Sequence, residues 1–145
     1  MTEQSPDDQF EEIKPLAEAL FDMSAMLVSK NGNFLPHGGT LSVTGDVAFV
    51  GAAPGEDDLT NSEEVLPLLH DGLRAETTKF TTRAVAVSES VFIGPDQTPA
   101  IKVLVEHRGG LTLAMYQTYA KRMLRGLKLG DVQMTEAAPE VGGWA

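Results

Sequence analysis

Residues 84–93, Ala84-Val85-Ala86-Val87-Ser88-Glu89-Ser90-Val91-Phe92-Ile93, decide how this chain folds. Val85, Val87, Val91 and Ile93 fall on one parity, with Glu89 the exception. Ala84, Ala86, Ser88 and Ser90 fall on the other, with Phe92 out of pattern. Side chains of a strand alternate between faces, so this period of two predicts a half-buried strand with the Val set inward. Gly94 to Pro99 breaks it, because Pro lacks an amide donor and Gly and Asp suit turns.

A second strand is expected from Ala100 to Arg108. It turns Ile101, Val103 and Val105 inward and Lys102, Glu106 and Arg108 outward, with Leu104 an apolar residue on the wet side. Gly109-Gly110 suits a tight primed turn. The third strand, Leu111 to Tyr119, sets Leu111, Leu113, Met115 and Tyr119 against Thr112, Ala114, Tyr116 and Thr118. Links this short favour antiparallel neighbours, and a one-sided apolar sheet must be covered.

The coverage comes from the earlier half of the chain. Phe10, Ile13, Leu16, Ala17, Leu20, Met23 and Leu27 recur at helical spacing, predicting a helix over Gln9–Lys30 that Asn31-Gly32 ends. Pro15 belongs in its first turn or kinks it. Asn33 to Val50 reads as a hairpin turning at Thr44-Gly45-Asp46, and 51–58 as a loop. A second helix begins near Asn61 or Ser62 and carries Val65, Leu66, Leu68, Leu69 and Leu73. Residues 120–125 read as a short helical turn and 127–135 as a short last strand. The expected fold is α+β and two-layered, in the order α-β-β-α-β-β-β. A mostly antiparallel sheet of about five strands has both helices packed on one face. All 145 residues form one domain, with 1–8 and 136–145 as flexible tails and Trp144 free to dock on the body or on a partner.

Composition narrows function by exclusion. The first 64 residues carry 13 Asp/Glu against two Lys, and the formal net charge is -10. Such a surface repels phosphate backbones, so no nucleic-acid partner is expected. No apolar run approaches ~20 residues, so no membrane partner is expected, and a cytoplasmic location is the default. With no Cys there is no disulfide and no thiol catalysis. No metal or cofactor is expected: Gly51 to Glu56 lacks a phosphate-gripping ending, and Asp57-Asp58 has no ligand loop around it.

Four candidate ligand-contacting residues stand out: His37, His107, Tyr116 and Tyr119. His37 lies between Pro36 and Gly38-Gly39, where backbone can bend and approach a ligand; the same residues also read as a bend in an edge strand. His107 ends the second meander strand on its core face. Lys121, Arg122, Arg125 and Lys128 put four of the eleven basic residues within eight positions, an anion or partner patch or a balance for the acidic half.

Asn31-Gly32-Asn33-Phe34-Leu35-Pro36-His37-Gly38 after a helix, joined to Ala100-Ile101-Lys102-Val103-Leu104-Val105-Glu106-His107 in a later strand, resembles small bacterial α+β proteins of unassigned function. The likeness spans about Phe10 to Tyr119 and implies a fold, with no catalytic residue to carry over. The expected function is a non-enzymatic protein-interaction or self-assembling module, a homodimer through a sheet edge being one form of it. The alternative is a small-molecule-binding protein or hydrolase using His37 and His107 together.

Overall fold

A computed structural model describes residues 4–51, 62–122 and 126–144. Helix α1 (Pro6–Asn31) is followed by β1 (His37–Ser42), β2 (Val47–Gly51), α2 (Ser62–Thr77), β3 (Thr82–Ile93), β4 (Thr98–His107), β5 (Thr112–Arg122) and β6 (Gly126–Glu136). The class is α+β. The strands form one antiparallel sheet in the order β2-β1-β3-β4-β5-β6, six strands rather than five.

Local chemistry sets the ends of α1. Ser5 accepts a hydrogen bond from the Asp8 amide at 3.2 Å, and Asp7 and Asp8 sit at the positive end of the helix. Gly32 closes it in the left-handed conformation (φ 81°), its amide bonded to the Val28 carbonyl. The helix therefore begins at Pro6, inside the segment expected as a tail, and holds Pro15 in its interior. Its stripe of Ile13, Leu16, Ala17, Leu20, Phe21 and Val28 is buried.

The helices do not share a face, which corrects the expected arrangement. Neighbouring strand residues point to opposite sides of a sheet. A Cβ on Gly38 would meet Leu73 and Leu69 of α2, whereas one on Gly39 would meet Leu16 and Leu20 of α1. β3 repeats the division. Ala84 and Ala86 join the core under α1, while Val85 and Val87 join a second core with Leu69 and Leu73. The cause is register. Ala86 pairs with Val105 and Val87 with Leu104, so the Val set of β3 and the Ile101/Val103/Val105 set of β4 lie on opposite faces. β3 is central and apolar on both sides; its small side chains let α1 approach closely.

Two further corrections concern the end of the chain. β5 continues as strand through Arg122 where a helical turn was expected, and β6 runs eleven residues. Residues 137–144 are not a loose tail but a strap across the α2 side of the sheet. The Glu106 carboxylate accepts the amides of Glu140, Val141 and Gly142 at 2.7–2.9 Å. Arg74 Nε donates to the Val141 carbonyl, and the Thr77 hydroxyl to that of Gly142. Val141 enters the second core, and Trp144 packs on it with its ring over the Arg108 guanidinium. Glu106, expected outward, is 1% exposed, and Leu104, expected on the wet side, is 3% exposed.

Candidate functional site

His37 opens β1, opposite Ser88 of β3 and on the α1 side of the sheet. Its Nδ1 lies 3.1 Å from the Leu35 carbonyl, which has no proton to give, so this nitrogen carries the hydrogen. Nε2 is then an acceptor, and the Ser24 hydroxyl donates to it at 3.2 Å. Ser88 donates in turn to Ser24 at 2.6 Å. The bonds run in one direction, from Ser88 to Ser24 to His37 to Leu35. Phe34 meets the imidazole edge-on, with ring centroids 5.3 Å apart. Burial holds the His37 pKa below the ordinary imidazole value, with the Leu35 carbonyl opposing weakly.

Beyond the imidazole lies a pocket of about 610 Å³ between the last turns of α1 and the β1–β2 hairpin. Met23, Leu27, Phe34, Leu35 and Phe49 supply most of its apolar wall, and Asn31 and Asn33 stand at its rim. Among the described residues that line it none is Asp, Glu, Lys or Arg, in a chain of which 22% is charged. Ser24 and Ser88 are fully buried and do not line it. A molecule in the pocket meets His37 and not the hydroxyl behind it.

His107 belongs to another cluster. Its Nδ1 accepts the Gly109 amide at 2.8 Å and its Nε2–H donates to Glu12 at 3.0 Å. Protonating Nδ1 would set a donor against a donor. Burial lowers the His107 pKa; Glu12 pulls the other way, and Arg83 and Arg108 add to the lowering. The Glu12 carboxylate is pushed up by burial but drawn down further by Gln4, His107 and Arg83, and ends below its usual value.

The structure does not bring His37 and His107 together. Their partners on α1, Ser24 and Glu12, are twelve residues apart, which is about 18 Å along a helix axis. Groups that share acid/base work must reach one substrate. Tyr119 lies in the core under α1, and Tyr116 pairs across the sheet with Lys102 and Gln133 on the other face. Of the basic patch, Lys121 pairs with Leu127 and Lys128 with Ala120, on opposite faces of the β5–β6 hairpin. Lys121 reaches over Gly32 at the negative end of α1. Arg122 is a strand residue opposite Gly126, and Arg125, like Asp57 and Asp58, lies outside the described residues. Among the described residues no three His, Asp or Glu side chains gather as a metal site. No described helix is long and apolar enough to cross a membrane.

Ser24, Ser88 and Glu12 escaped the reading of the sequence. The available signal was Ser24 itself, a polar residue four positions after Leu20 and four before Val28 on the buried stripe. A hydroxyl there needs a partner. Comparison of the chain with protein-family models, curated proteins and solved structures gives no match.

Proposed function

We propose that this chain is a non-catalytic binding module whose His37 pocket takes a neutral, largely apolar small molecule. The observation that carries this is the lining: a concavity of about 610 Å³ with no charged side chain among the described residues that wall it. Small-molecule sites commonly occupy ~300–1,000 Å³, mostly apolar with a few placed polar groups. Asn31 and Asn33 supply a donor or an acceptor at the rim. His37 shapes the inner wall, since both of its ring nitrogens already have partners within the protein. Hydrolysis is disfavoured because Ser24 is sealed behind the ring, and a nucleophile must touch the carbon it attacks.

The test is a titration with N-phenyl-1-naphthylamine, a neutral apolar probe whose fluorescence rises on leaving water. Saturable one-to-one binding is expected. Phe49→Asp puts a charge at the pocket mouth and should weaken binding about tenfold, the effect of roughly 1.4 kcal/mol; Phe92→Ser, outside the lining, should leave it unchanged. Equal affinity in the wild type and Phe49→Asp would sink the site. Turnover of p-nitrophenyl butyrate that disappears in Ser24→Ala, with the fold intact, would sink the non-catalytic reading.

A further inference from the structure

We propose that the free edge of β6 receives an extended, cationic segment of another protein as a seventh strand. This surface is separate from the His37 pocket and stands without it. β6 pairs with β5 on one side and, among the described residues, with nothing on the other. Such an edge offers a row of main-chain donors and acceptors to an incoming strand. The register shifts between the pairs Gln117–Val132 and Tyr119–Leu129, so the longer regular stretch of the edge is Val132 to Glu136.

One side of this edge is apolar and open. Leu129, Val132 and Met134 are 44%, 40% and 49% exposed. They pair with Tyr119, Gln117 and Met115, which places all three on the α1 side. There a groove of about 300 Å³ runs between β6 and α1, walled by Phe21, Glu18 and Asp22. No described residue pairs with either acid. Glu136 marks the other end of the regular stretch, on the same side.

Charge selects the occupant. A second copy would bring its own acids against Glu18 and Asp22, in a chain of net charge -10. A strand with apolar residues beside Val132 and Met134 and an Arg or Lys at each end satisfies both the groove and its acids. Long basic side chains lay their stems on apolar surface while their heads reach the carboxylates.

The probe is the peptide acetyl-Arg-Thr-Val-Thr-Val-Thr-Arg-amide, which keeps the Arg and Val side chains on one face. It is titrated into the ¹⁵N-labelled protein. Amide shifts confined to β6 and the neighbouring turns of α1 are expected, and the version with Glu at both ends should bind at least tenfold more weakly. The surface variant Glu18→Lys with Asp22→Lys should reverse that preference. Equal binding of the two peptides, shifts elsewhere or no binding would overturn the proposal. So would a concentration-dependent dimer whose shifts fall on β6, since the occupant would then be a second copy.

Discussion

The two faces of the sheet are covered by different chemistry. Under α1 the middle of the cover is apolar on apolar: a 26-residue helix lays Ile13, Leu16 and Leu20 on Ala84, Ala86, Ile101, Val103 and Val105. Opposite, α2 has 16 residues and packs on β1 and β3. The strap extends that cover over β4, and its anchor on that strand is a single carboxylate taking three amides. Apolar contact is additive and tolerates loss by increments. A carboxylate with three donors is concentrated in one residue, and losing it strands every donor at once.

The largest expected effect lies on the apolar side. Leu20→Ala should cost about 3–4 kcal/mol, as large-to-small changes at fully buried sites do. Urea unfolding with a constant m-value would measure it, and a cost under about 1 kcal/mol would mean that the α1 core refills itself. Next comes Glu106→Gln, which keeps the shape but turns an acceptor into a donor facing the strap amides. The expected cost is about 2–3 kcal/mol. Because Trp144 is the sole Trp and rides on the strap, its emission should shift red before the sheet unfolds. An unshifted spectrum would mean that Arg74, Thr77 and the buried Val141 hold the strap without the carboxylate.

The smallest effect is set by pH. His37 and His107 are both held below the ordinary imidazole value of 6.5. The unfolded chain therefore takes up protons that the fold refuses. Their contribution is whole above about pH 6.5 and shrinks as the pH falls toward the folded values. The melting temperature should drop between pH 7.5 and pH 5.5, and His107→Gln should flatten part of that slope. A slope unaltered by this variant would mean that His107 titrates as freely in the fold as in the unfolded chain.

Alternation made β3, β4 and β5 legible, and the stripes of Leu16 with Leu20 and of Leu69 with Leu73 made both helices legible. Which face each helix took was not, because β3 is apolar on both sides and period two names faces without orienting them. Orientation came from pairing, such as Ser88 with Val103 and Val85 with Glu106. Glu106 looked solvent-facing for a similar reason: its partners lie 34 to 36 positions further along the chain. His37 was legible as an unusual residue between Pro and Gly. Its partner Ser24, 13 positions away, and the Ser88 hydroxyl that bonds Ser24 across 64 positions were not.

Gly38-Gly39 first suggested a bend, and the folded chain gives the pair another meaning. A methyl on Gly38 would strike the Ala86 carbonyl oxygen at 2.6 Å, and one on Gly39 would press Leu16 at 3.0 Å. At this point the middle layer has almost no thickness of its own, and the leucines of the two helices close on bare main chain from either side. Sequences that adopt this sandwich are thus constrained here by their outer layers, and an alanine scan of β1 would report on helices it never mutates.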